Sequence, residues 1–243
     1  MKSAKTRTRR VFSIVLLFAS VGVWLLLNPE SYESVLVPKN ETTSAPTASG
    51  DTPLAVDVLN RLEKKGRAPK TGYTRDEFYS TWPTIDGCSL RQRIIKREMS
   101  DSAVLADDNC TVISGEFDEP YTGSHLIFRE KSEFSKGIQI DHVVALSDAW
   151  QKGAQNLSRE KRYELATDPL NLLAVDASTN QGKSDGDAAT WLPPNKSFRC
   201  QYVARQVSVK YKYSLWVSDA EYDAILSVLK VCPNEPAIGV SIE

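Results

Sequence analysis

Asp141-His142-Val143-Val144-Ala145-Leu146 is the stretch on which the reading of this chain turns. An acid and a histidine stand there at the end of an apolar alternation: Ile138 and Ile140 flank Gln139, which predicts a strand entering a core. The chain has two histidines, His125 and His142, and only His142 adjoins a carboxylate. A strand histidine is commonly a satisfied structural group, so the weight comes from the residues downstream of it. Pro169 and Asp176 bound a second apolar segment, Leu170, Leu172, Leu173 and Val175, with Asn171 inside it. The polar, small stretch 178–189 then predicts a helix whose first turn holds Asn180 and Lys183. Strand, strand and helix each deliver a polar group. Such a unit can hold an oxygen-loving divalent cation between a carboxylate and an amide oxygen, with a histidine beside it to activate water.

Outward from this unit, Leu54, Val58, Leu59 and Leu62 recur at helical spacing, and Leu90, Ile94 and Ile95 do so among basic residues over 89–99. Arg91, Arg93 and Arg97 read there as a solvated face or as phosphate contacts. Val112 with Ile113, and Leu126 to Phe128, predict short strands, and 158–166 predicts a helix. Ser218 and Glu221 form a capping box ahead of Tyr222, Ile225, Leu226 and Leu229. Asp148 and Trp150 are expected in loop packing, Trp191 to Pro194 in a rigid turn, and His125 at the surface. Asp185 and Asp187 read as further site acids or as helix-terminus acids. Arg199, Arg205, Lys210 and Lys212 interleave with Tyr202, Tyr211 and Tyr213, a pattern that suits either a nucleic-acid grip or a mixed helix face. The fold class is α+β.

The 243 residues, 41% hydrophobic and 25% charged, exclude collagen-like and wholly disordered classes. Lys2, Lys5, Arg7, Arg9 and Arg10 precede an uncharged run from Val11 to Leu27, so residues 1–28 read as a signal peptide or signal anchor. The chain is then expected to be secreted, or anchored to the outer face of the cytoplasmic membrane. Residues 29–53, with four prolines, read as a flexible linker, and 54–243 as one folded domain. Beyond residue 28, 25 basic residues face 31 acidic ones, a net charge of −6, so a polyanion would need a local grip rather than a basic coat. Cys88, Cys110, Cys200 and Cys232 contain no Cys-x-x-Cys pair, and export favours two disulfides over free thiols. Of three connectivities, Cys88–Cys110 with Cys200–Cys232 is preferred because each closes a loop of ordinary size within its own segment.

The strings DHVVAL (141–146), DPLNLLAV (168–175) and STNQGKSDGDAATWLPP (178–194) resemble the HNH endonucleases, the ββα-metal or His-metal finger group, and in particular the exported DUF1524-type branch. The segments 86–99, 121–128 and 200–217 are similar to the same branch, so the likeness spans roughly 75–232, with the finger at about 135–190. The same order of DH, N and N-x-G-K-S-D also resembles the HNH domain of the RNA-guided CRISPR nuclease. The resemblance implies His142 as general base and Asp141 with Asn180 as ligands of one Mg2+, or Mn2+, ion. It implies Asn171 as the middle residue of the motif, bracing the finger loop, and Asn180 where the family name has histidine. Lys183 reads equally as a phosphate contact or as a brace of the helix start, and Arg199 and Lys210 as substrate contacts. The function implied is hydrolysis of DNA phosphodiesters outside the cytoplasm, with DNA and, if the N-terminal segment is uncleaved, the membrane as partners and no obligate protein partner evident. The alternatives are a non-catalytic DNA- or wall-binding module and a nuclease acting on RNA.

Overall fold

The computed structural model describes residues 52–241. The expected signal or anchor segment and almost all of the linker lie outside them. Among the described residues no helix is long and apolar enough to cross a membrane. The architecture is mixed α+β. Helix α1 (Ala55–Leu59) is followed by a short hairpin, β1 (Thr84–Ile85) and β2 (Cys88–Ser89), and by α2 (Leu90–Met99). Strands β3 (Val104–Leu105), β4 (Val112–Asp118) and β5 (His125–Phe128) form an antiparallel three-stranded sheet. Then come α3 (Lys131–Gly137), β6 (Ile138–His142), α4 (Leu146–Gln151), α5 (Arg159–Thr167), β7 (Leu172–Asp176), α6 (Ala177–Lys183), α7 (Arg199–Lys212) and α8 (Asp219–Leu229).

The antiparallel pair β6–β7 is the middle of the molecule, with Ile138 opposite Asp176 and His142 opposite Leu172. Both faces of β7 are apolar, and each face packs against a different layer. Leu173 and Val175 join Tyr202, Val203 and Val207 of α7, Ile225 and Leu229 of α8 and the α1 residues Val58 and Leu59. Leu172 and Ala174 turn the other way, with Ile138, onto Ile94 and Ile95 of α2 and Phe117 of β4. A strand buried on both sides loses the polar alternation of a half-exposed one, which is why 172–175 reads as a continuous apolar run. A third cluster gathers Phe78, Trp150, Leu165 and Tyr213 around α4 and α5.

Local signals set the element ends. Asp176 caps α6, its Oδ1 accepting from Thr179 N at 2.7 Å, and Ser158 caps α5 through Lys161 N. Helix α6 is shorter than expected: it stops at Lys183, after which Ser184 takes a left-handed φ of 53°. Residues 146–151, where Asp148 and Trp150 were expected in a loop, form a helix, and 131–137, for which the sequence carries no reading, form another. The basic α2 face is mixed: Arg93 and Lys96 are exposed, as a solvated face expects, whereas Arg91 and Arg97 act as braces. Arg91 Nη2 donates to Ile138 O at 3.1 Å, and Arg97 donates to Pro169 O and Leu172 O at 2.9 and 2.7 Å, fastening α2 to both ends of the central hairpin.

Two disulfides, Cys88–Cys110 and Cys200–Cys232, have the expected pairing. The first ties the β2 start to the turn before β4; the second ties the first turn of α7 to the segment leaving α8. Residues 65–77 run as a strap across the helices. Lys65 N donates to Val217 O, Trp216 Nε1 to Gly66 O, Ala68 N to Gln151 O, and Trp150 Nε1 to Thr71 O at 3.2 Å. Arg162 Nε donates to Glu77 O at 2.9 Å. The two ends of the described chain meet: Leu54 bridges Pro236, with Ala55 N on Glu235 O and Ala237 N on Pro53 O, both at 2.9 Å.

Candidate active site

The end of β6, the first turn of α4, helix α6 and the strap enclose a cleft of about 370 Å³, and Asp141, His142 and Asn180 all line it. Asp141 and His142 leave the end of β6 by opposite faces, Asp141 toward Tyr121 and Lys183 and His142 toward Ala166 and Trp82, and both reach the cleft because it lies across the strand end. His142 is 6% exposed and its Nε2 lies 2.9 Å from Ala166 O. A carbonyl can only accept, so Nε2 carries the proton and Nδ1 keeps its lone pair. Burial pushes the imidazole down to about 3, with the charges of Arg75 and Lys183 adding to the effect, so the ring is neutral at ordinary pH. The Trp82 ring stacks on it at 6.0 Å between centroids and 6° between planes, and Tyr79 packs beside it at 5.9 Å. A neutral imidazole fixed at one nitrogen and clamped on its face can accept a proton at the other.

Asp141 is also buried. Its Oδ2 accepts from the Tyr121 hydroxyl and its Oδ1 from Lys183 Nζ at 2.9 Å, and Lys183 Nζ donates further to His142 O at 2.8 Å. Burial raises the Asp141 carboxyl, and the ammonium and the two hydrogen bonds pull it back toward ionisation. Each carboxylate oxygen keeps a second lone-pair direction. Asn180 Nδ2 donates to Gln139 Oε1 at 2.8 Å, which fixes the amide and leaves its Oδ1 as the acceptor. One carboxylate, one oriented amide oxygen and an open, polar cleft fit a hard divalent ion that retains several waters.

Asn171 lies apart from the cleft lining and is fully buried. Its Oδ1 accepts from Val144 N at 2.8 Å, and its Nδ2 donates to Val144 O and Leu165 O. These bonds tie it to the loop after His142 and to the end of α5. Three substrate contacts expected from sequence are corrected. Lys183, 2% exposed, spends its ammonium on Asp141 and His142 O rather than on a phosphate. Lys210 is wholly buried and pairs with Asp148 and Glu221. Arg199 donates to Pro193 O at 2.7 Å and lines a different groove, beside Leu192 and Val228. Of the paired acids, Asp185 lines the cleft, held by Ser147 and Lys70, whereas Asp187 is buried behind it.

Asp187 belongs to a buried network that sequence reasoning missed. Lys152 Nζ lies 2.7 Å from both Asp148 and Asp187 and 2.6 Å from Glu221; Lys210 joins Asp148 to Glu221, and Arg67 joins Asp148 to Asp187. Three cations meet three carboxylates, so the set is neutral as a whole. Asp148, expected in loop packing, is instead its hub on α4. Ser218 caps α8 as expected, but the Glu221 carboxylate turns inward to this network and does not close the capping box.

Sequence reasoning also missed Lys70, Tyr73 and Arg75, which line the cleft, and Tyr79, Trp82 and Tyr121, which pack on His142 or bond to Asp141. The signal present was four aromatics within ten residues, Tyr73 to Trp82, a density that ordinary linker sequence does not carry.

Residues 91–228 match the family described as GmrSD restriction endonucleases, C-terminal domain. An "Uncharacterized secreted protein" of Arthroderma benhamiae is 35% identical over 181 residues, covering 73% of this chain and 84% of that protein. No solved structure matches. A family match over more than half the chain, centred on the hairpin and helix that carry Asp141, His142 and Asn180, means that the chain belongs to the GmrSD restriction endonuclease C-terminal domain family, a nuclease-type family.

Proposed function

We propose that the protein is an HNH-type, divalent-metal-dependent endonuclease that hydrolyses DNA phosphodiester bonds outside the cytoplasm. The observation that carries the reading is the convergence of Asp141, His142 and Asn180 on one cleft, with the His142 Nε2 proton committed to Ala166 O. His142 Nδ1 takes the proton of the attacking water, and its neutral state at ordinary pH leaves that lone pair free to accept it. Trp82 and Ala166 O hold the ring still while it does so. Asp141 and the Asn180 amide oxygen hold the cation, and Lys183 and Tyr121 fix the carboxylate from behind. When bound, a Mg2+ or Mn2+ ion supplies charge stabilisation at the phosphate and the leaving oxygen. The family membership and the name of the fungal relative support nuclease chemistry and an extracellular setting respectively.

Plasmid cleavage by the oxidised protein with Mg2+, Mn2+ or EDTA tests this, beside His142→Ala and Asn180→Ala. The expected result is metal-dependent nicking that falls at least about 100-fold in either variant. Cleavage that survives His142→Ala in a folded protein overturns the assignment. Turnover of RNA without loss of DNA would retain the chemistry and change the substrate.

A further inference from the structure

The cleft has a wall that the family match does not include. Residues 70–82 precede the matched region, yet Lys70, Tyr73 and Arg75 line the same cavity as His142. The charges there do not balance. Asp141 is matched by Lys183 and Asp185 by Lys70, whereas Arg75 has no carboxylate partner among the described residues. Its one side-chain hydrogen bond goes from Nη2 to the Tyr79 hydroxyl, and its guanidinium also lies over the Tyr79 ring, 5.0 Å from the centroid. A guanidinium has five N–H donors, so most of the fork remains unspent.

The backbone that carries Arg75 is itself fixed. Arg75 opens a single turn of 3-10 helix, Arg75–Glu77, and the strap is pinned on one side by Trp150 Nε1 to Thr71 O and on the other by Arg162 to Glu77. An arginine on a pinned turn, propped by a buried tyrosine and uncompensated beside a candidate hydrolytic site, is preorganised for an anion with planar, bidentate acceptors. In a chain whose net charge beyond residue 28 is −6, it is also the local cation that a polyanion would need.

We infer that Arg75 is the phosphate anchor of the cleft, gripping a backbone phosphate of a nucleic-acid strand, with Tyr79 as the prop that aims it. The inference rests on the reading of the cleft as a nuclease site. It extends that site beyond the matched family domain to a segment that contributes binding rather than proton transfer.

The test separates the two claims. Binding of a short fluorescein-labelled DNA duplex to the full-length His142→Ala protein in EDTA is measured against salt, alone and combined with Arg75→Ala, Arg75→Gln or Arg75→Lys. The exposed Lys230→Ala, at the far end of α8, is the control. Loss of one phosphate contact lowers the slope of log affinity against log salt by about 0.9. The slope should fall by that amount with Ala and with Gln, which can keep a hydrogen bond to Tyr79 without the charge, and should survive in Lys and in the control. An unchanged slope in folded Arg75→Gln, or no duplex binding by the parent, overturns the anchor. If wild type cuts DNA and the Arg75 slope is unchanged, only the anchor falls. If the slope drops but wild type cuts nothing, the anchor stands and the hydrolytic reading falls.

Discussion

Two asparagines nine residues apart do opposite jobs, and their surroundings say so. Asn171 has no exposed surface and satisfies three backbone groups; Asn180 is half-buried at the cleft and makes one hydrogen bond to Gln139. Removing a buried partner costs the desolvation of every group left behind, about 1–3 kcal/mol for each group fully orphaned. Asn171→Ala should therefore lower thermal stability markedly, by an amount on the order of 2–3 kcal/mol, and lose activity through disorder of the Val144 loop. Asn180→Ala should melt within a few degrees of wild type while losing metal-dependent nicking. A calorimetric melt beside a plasmid assay checks both, and a melt for Asn180→Ala as low as that of Asn171→Ala would contradict the assignment. Both asparagines stood out in the sequence as polar residues beside an apolar run and at a helix start, although Asn171, expected inside the strand, closes the 3-10 turn that precedes β7. Arg75 did not, since an arginine in a loop has no sequence signature until the fold brings it to His142.

At the scale of elements, the central hairpin and its adjoining helix were readable from periodicity, since Ile138, Ile140 and the run Leu172 to Val175 had to be buried. Helices 131–137 and 146–151 were not, because each is under two turns long and takes its stability from the partners it meets rather than from its own pattern. Helix α8 shows how a correct signal can hide a second role. The Ser218–Glu221 spacing marks the helix start correctly, yet the Glu221 carboxylate binds Lys152 and Lys210. A lost cap costs roughly 1 kcal/mol, whereas a buried charge network stripped of one member loses about 3–5 kcal/mol. Ser218→Ala should thus be mild and Glu221→Ala severe in urea unfolding. Comparable small losses would return Glu221 to a capping role.

For the whole molecule, acid should act through the same network. Burial raises the Asp187 carboxyl, but Lys152 and Arg67 outweigh it and hold the group well below the usual carboxylate range. A carboxyl depressed in the folded state contributes stability that is present above its unfolded value near 3.8 and is lost as pH falls below it. The urea midpoint should therefore decline as pH drops below about 4, and decline less steeply in Asp187→Asn, which has no proton to take up. Equal slopes would exclude Asp187 as a source of acid lability. None of this network was visible in the sequence, because its six members come from the strap, α4 and the residue that ends it, the loop after α6, α7 and α8, up to 154 residues apart from Arg67 to Glu221. Only the closed fold makes them neighbours.

The bridge between Leu54 and Pro236 puts the entrance and the exit of the domain side by side. A unit whose two ends emerge together behaves as a plug-in part. It can be spliced into a surface loop of another protein, or have its ends joined and be reopened elsewhere, without pulling the cleft apart, because neither operation has to span the body of the domain.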